Sequence, residues 1–249
     1  MQLAGVHNKK VEYKTWENIR ATMFQTGDME MSRELSEQFM ALLSGTKRLA
    51  DQLQVMHEMF VLEKIIPDFA HARNLMQFNE YHKYTVDEHS LKAVRVATLF
   101  EKENTVCGRA YNKIADKNLL HLALLLHDVG KGFPEDHCEV CRRIAEKIGK
   151  RLQLTYDQTE DIKFLVHNHL VMTHLAFHRD INDENLIAEF ASNVGSVRLM
   201  KMLYVLTCAD VQAVGPGVLT PWKYNLLTSL YQRAHDAVSY THLTLPTKA

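Results

Sequence analysis

A chain of 249 residues can bury a substantial core without disulfide or metal staples. Its 29 basic and 30 acidic side chains leave a formal charge of −1, which excludes a bulk electrostatic pull towards nucleic acid or anionic lipid. The N-terminal MQLAGVHNKK has no apolar leader, no apolar run approaches the roughly 20 residues of a membrane span, and Cys107, Cys138, Cys141 and Cys208 read as reduced thiols, so a cytoplasmic protein is expected.

Only 10 glycines and 5 prolines punctuate the chain, and apolar residues recur at helical spacing almost throughout. The predicted fold class is therefore all-α, a helical bundle with a helical N-terminal lead-in. Amphipathic stretches at 33–43 and 46–62, closed by Ile65-Ile66-Pro67, place the lead-in at residues 1–68 and the main domain at 69–237. From Thr85 onward, Val86, His89, Ala93, Val96, Ala97 and Phe100 share one face, which turns His89 inward. Leu119–Val129 is apolar on every side, with His127-Asp128 at its end, before the turn Gly130-Lys131-Gly132-Phe133-Pro134. An ionised Asp there is costly unless it is paired or bound to metal.

The next helix lines one side with His137, Cys141, Ile144 and Ile148, and the one after it spaces Ile162, Leu165, Val166 and His169 at i, i+3, i+4, i+7, with His167 facing away. Leu199, Met202, Leu203, Leu206 and Asp210 end another apolar stripe on a carboxylate, ahead of the turn Gly215-Pro216-Gly217. The run VSYTHLTLPT from Val238 reads as a translated sequencing adapter, so residues 238–249 are expected to be foreign, the natural chain to continue past Ala237, and His242 to be no ligand.

Of the 14 histidines, nine fall between His82 and His178. A lone inward His is more often a hydrogen-bonded core residue than a ligand, and a lone inward Asp is often a cap or half an ion pair. The ordered set His89, His127-Asp128, His169 and Asp210, each on the buried stripe of its own helix, changes that balance. Phosphate-ester hydrolysis needs activated water and charge neutralised on phosphoryl oxygens, which clustered divalent metals supply. A nitrogen and oxygen ligand set favours Mn²⁺ or Mg²⁺ over structural zinc. Cys138-x-x-Cys141 has no second pair and is read as packing, as are His121, His167 and His178.

His89, His127-Asp128 and Asp210 match the H…HD…D pattern of the HD phosphohydrolase superfamily. The strings YHKYTVDEHSL (81–91), LLLHDVGKG (124–132), DH (136–137), LVHNHLVM (165–172), RDINDE (179–184) and LTCADVQAVGPG (206–217) closely resemble the HD domain of the bifunctional uridylyltransferase/uridylyl-removing enzyme of the PII nitrogen signal protein. KIIPDFAHARNLMQ (64–77) resembles that family's segment before its HD domain, and the likeness spans about residues 18–236.

The resemblance implies a metal-dependent hydrolase that removes UMP from a tyrosine of uridylylated PII, using one or two Mn²⁺ or Mg²⁺ ions. His89, His127, Asp128 and Asp210 would hold the first ion, and His137 and His169 a second, with Asp128 bridging. Lys131 would counter phosphoryl charge or orient water; its plainer role is a cation on a helix dipole. His82, His174 and Arg179 are candidate substrate or supporting residues, and Asp180 a candidate for the pocket rim. The family's nucleotidyltransferase and ACT domains have no counterpart here, so uridylylation and glutamine sensing are not expected of this chain. Two other readings stand beside this one. One is an HD enzyme acting on a free nucleotide or a cyclic dinucleotide, whose family shares HDxGK but also carries a GYP-type motif not found here. The other is a non-catalytic metal-bound module that docks PII. Neither a membrane nor a nucleic acid is an expected partner, and the sequence leaves the oligomeric state open.

Overall fold

The computed structural model describes residues 13–27, 29–76 and 84–244, and every regular element among them is helical. The lead-in supplies α1 (Tyr13–Gln25), α2 (Arg33–Ser44), α3 (Leu49–Glu58), α4 (Leu62–Ile65) and α5 (Phe69–Ala72). The main body follows as α6 (Val86–Leu99), a 3₁₀ turn (Phe100–Lys102), α7 (Val106–Asn112), α8 (Lys117–Leu126), α9 (His137–Arg151) and α10 (Tyr156–His167). It closes with α11 (Val171–His178), α12 (Glu184–Val194), α13 (Val197–Val214) and α14 (Pro221–Thr244).

Side-chain caps start many of these helices where the sequence offers an oxygen. Ser32, Thr105, Asp136, Asp183 and Ser196 each accept a first-turn N–H, and Thr155 with Gln158 forms a reciprocal capping box.

The apolar α8 is the axis of the bundle. Every side chain from Leu119 to Val129 is buried, because α8 meets α2, α6, α9, α10 and α13 on its several sides. At about 1.5–3 kcal/mol for each fully buried leucine, this helix is a strong apolar anchor of the fold. The lead-in shares the same core: Phe39, Leu43, Leu49 and Leu53 join it, α2 packs on α8, and α3 packs on α6. Arg151 at the end of α9 reaches back to the carbonyls of Met29, Lys64 and Ile65.

The expected helix over 46–62 is shorter. Arg48 takes a left-handed conformation at φ 61° just before α3, and Phe60 does so at φ 58° just after it, with Phe60 N–H bonded to the His57 carbonyl. That turn lays the Phe60 ring under the Arg73 guanidinium, 4.4 Å from its centroid, so tertiary contact ends a helix that periodicity alone would continue. The backbone of α14 stays helical into the adapter-like run, to Thr244, and Val238 is buried. No helix among the described residues is long and apolar enough to cross a membrane.

Candidate metal centre

Four imidazoles and two carboxylates come together beside the C-terminal end of α8. His89 lies one turn into α6, and its Nε2 donates to Asp210 Oδ1 of α13 at 2.8 Å. His127 Nε2 is 3.3 Å from His89 Nε2, 3.5 Å from Asp210 Oδ1 and 3.4 Å from Asp128 Oδ2. The other oxygen of Asp128 faces His169 Nε2 at 3.6 Å, and the His137 ring lies 5.4 Å from that of His169 between centroids. Asp128 thus sits between His89 and His127 on one side and His169 on the other. Lys131 Nζ binds Asp128 Oδ2 at 2.6 Å.

The local backbone explains the convergence. α8 ends at Leu126, so His127 and Asp128 sit in the following turn, where they project from the end of the helix and not from its flank. This turn lies directly on the start of α9: a Cβ at Gly130 would meet the His137 carbonyl at 2.6 Å and Val140 Cβ at 2.8 Å. Cys141 closes the joint, donating its thiol to the His127 carbonyl at 3.0 Å and accepting Gly130 N–H at 3.2 Å. From the lead-in, His71 Nε2 donates to the Lys131 carbonyl at 3.0 Å.

His169 departs from expectation in one respect. α10 stops at His167, so His169 belongs to the turn between α10 and α11 and not to the helical stripe that its spacing suggested. Its ring still points inward, because Nδ1–H donates to the Val166 carbonyl at 2.7 Å. His127 is fixed in the same way by the Leu124 carbonyl at 2.8 Å. In both rings the backbone bond puts the proton on Nδ1 and turns the Nε2 lone pair towards the carboxylates, the tautomer that a metal ligand needs.

The electrostatics call for positive charge. Burial works to lower the His127 imidazole, but Asp128 and Asp210 beside it overcome that and lift it to about 9, so without a cation Nε2 carries a proton that a bound ion would replace. Burial works to raise both carboxylates, and the surrounding imidazoles, with Lys131 at Asp128, hold each below the usual range. Burial brings His169 down to about 4 and also lowers His137. Asp128 Oδ1 and His169 Nε2 are buried without a hydrogen-bond partner among the described residues, which in a packed interior costs about 1–3 kcal/mol each. Two orphaned Lewis bases facing one another, among groups that share a lone-pair orientation, fit a divalent cation. The donor atoms of His89, His127 and Asp128 all lie within 4.8 Å of one another, as do those of His137, Cys138 and His169.

The remaining candidates lie elsewhere. His82 is outside the described residues. His174 is exposed on α11 with its ring stacked on His178, and no hydrogen bond or ion pair among the described residues ties it to the centre. Arg179 and Asp180 line a cavity of about 570 Å³ with Asn168, Leu175, Glu189 and Leu203, beside α11 and α12. His121 is a packing residue, donating to the Leu43 carbonyl and accepting from Tyr111, and His167 is half-buried 3.7 Å from Glu139. Cys138, read from the sequence as packing for want of a second Cys pair, has its Sγ 3.6 Å from His137 Nε2. Sequence reasoning missed a buried cluster behind α6, where His57 bridges Glu63 and Asp87.

Residues 86–195, which contain His89, His127, Asp128, His137 and His169 and stop short of Asp210, match the family model of the HD domain.

Proposed function

We propose that this domain hydrolyses the phosphodiester joining UMP to a tyrosine of the PII signal protein. The observation that carries the hydrolytic reading is Asp128, set between His89 and His127 on one side and His169 on the other, with Lys131 against the same carboxylate. The strings around each of these residues support PII as the substrate.

His89, His127, Asp128 and Asp210 would hold one divalent ion, Mn²⁺ or Mg²⁺, and His137 and His169 a second, with Asp128 common to both. Bound ions would supply Lewis-acid stabilisation of the phosphoryl oxygens and lower the pKa of water. The chain's own groups set the rest. The Leu124 and Val166 carbonyls hold the His127 and His169 rings in one tautomer. The Lys131 ammonium, one quarter exposed, stands where it can meet phosphoryl charge from the solvent side of Asp128. Water adds to phosphorus as the bond to the phenolic oxygen breaks, and a phenol of pKa near 10 leaves with little help from an acid.

The test is UMP release from uridylylated PII by the manganese-loaded protein, run beside free nucleotides and cyclic dinucleotides. Asp128→Ala should lower the rate by more than about 100-fold, since loss of groups that only support a ligand already costs about 10–100-fold. Turnover of a free nucleotide or cyclic dinucleotide without release of UMP from PII would replace the substrate and leave the hydrolase. An Asp128→Ala variant as active as the parent would remove the hydrolase reading itself.

A further inference from the structure

We propose that Cys138 is a metal ligand, its sulfur pairing with the His137 imidazole to give one half of the centre a nitrogen–sulfur donor set that selects a thiophilic divalent ion. The inference rests on the metal reading of the centre and changes which ion the His137 side takes.

The geometry comes first. Cys138 Sγ is 3.6 Å from His137 Nε2 and 3.9 Å from His169 Nδ1. A tetrahedral ion with bonds of about 2.05 Å to nitrogen and 2.3 Å to sulfur holds those two donors about 3.6 Å apart. Consecutive residues on a helix normally point in different directions. Here, at the first two residues of α9, the side-chain tips nevertheless come within 3.6 Å.

The second observation is independent of the sulfur. His169 is fully buried, its Nε2 has no hydrogen-bond partner among the described residues, and one of its ring nitrogens lies within 4.8 Å of the His137 and Cys138 donors. Its Nδ1 already donates to the Val166 carbonyl, so Cys138 is not needed to satisfy that atom. Among the described residues the Cys138 thiol touches no polar partner except these two rings.

Cys141 provides the contrast. It is fully buried and uses its sulfur between the His127 carbonyl and Gly130 N–H, so it is committed to structure. The Cys-x-x-Cys pair therefore splits into one joint and one half-buried thiol aimed at imidazoles. On binding, the S–H bond breaks, a sulfur–metal bond forms and the proton goes to water. A thiolate beside an imidazole favours Zn²⁺ or Co²⁺ over Mg²⁺, whereas His89, His127 and Asp210 on the other side remain a nitrogen and oxygen set.

The experiment uses the full chain, stripped with chelator and titrated with Co²⁺. An intense near-ultraviolet sulfur-to-cobalt charge-transfer band is expected, absent from Cys138→Ser and kept in Cys141→Ala. Zn²⁺ should also slow alkylation of Cys138 in the parent by at least about 10-fold, a readout that needs no variant to fold. The preference for Zn²⁺ over Mn²⁺ should fall at least about 10-fold in Cys138→Ser. If cobalt binds by dialysis without the band, or if the band survives in Cys138→Ser, Cys138 is not a ligand and the hydrolase reading stands. If no cobalt binds, the metal reading falls, and this inference with it.

Discussion

Asp128 sets the character of the centre, and the residue paired with it, Lys131, is the most informative to change. The ammonium contacts the carboxylate at 2.6 Å while remaining one quarter exposed, so it can serve an incoming phosphate as well as Asp128. Lys131→Met should therefore lower kcat by about 10²–10³-fold, the range for loss of one preorganised donor to developing charge, with metal content unchanged. An unaltered kcat would make Lys131 no more than a cation at the end of α8. His89, His127, Asp128 and Asp210 were legible in the sequence because each ends or interrupts an apolar stripe, where an unpaired polar group is costly. Cys138 was set aside because its Cys-x-x-Cys has no second pair, and the approach of its sulfur to His137 Nε2 is a matter of side-chain placement that no spacing reports. The tautomers of His127 and His169 were equally hidden, being set by backbone carbonyls that no side-chain pattern reports.

At the scale of elements, the aim of His89 depends on how α6 begins. Asp87 in its first turn accepts from His57 Nε2 at 2.9 Å and from Asn74 N–H at 3.2 Å, while Glu63 takes the other nitrogen of His57 and the Arg73 guanidinium. This cluster joins the end of α3 to the start of α6. It follows from the break at Phe60, which the periodicity over 46–62 did not disclose. Burial works to lower His57, but the bonds to Asp87 and Glu63 overcome it and raise the group above its ordinary 6.5. Burial works to raise both acids, yet the His57 bond holds Glu63 below its ordinary value and Asp87 down at about 2. The raised imidazole contributes stability that is complete below about pH 6.5 and lost as pH rises through its folded value. The depressed acids contribute stability that is complete above about pH 4.5 and lost as pH falls towards 2. The cluster is thus fully stabilising between roughly pH 4.5 and 6.5. His57→Gln should cost on the order of 3 kcal/mol in that window, with a smaller cost at pH 8–9, measured by urea unfolding across the range. A cost independent of pH would mean that His57 contributes only packing.

For the molecule as a whole, the helical class was legible because so few breakers interrupt the apolar periodicity, but the pairing of helices was not. Nothing in the sequence says that α2 covers α8, or that α13 brings Asp210 across 121 residues of chain to His89. That assembly is what links the site to folding. Donors drawn from α6, the turn after α8, α9, the turn after α10, and α13 are close together only in the native state, so a cation that binds them binds the folded chain and not the unfolded one. Free metal at 100 times its dissociation constant should then add about 2.7 kcal/mol of stability. For a chain of this size that corresponds to a rise in Tm of about 5–10 °C, reversed by chelator. The same titration on Asp210→Ala should give a much smaller rise, because that variant keeps the lead-in, α8 and the core but loses the donor supplied by α13. Equal shifts in parent and variant would mean that the stabilising ion binds elsewhere on the surface and that the convergence of these helices serves packing alone.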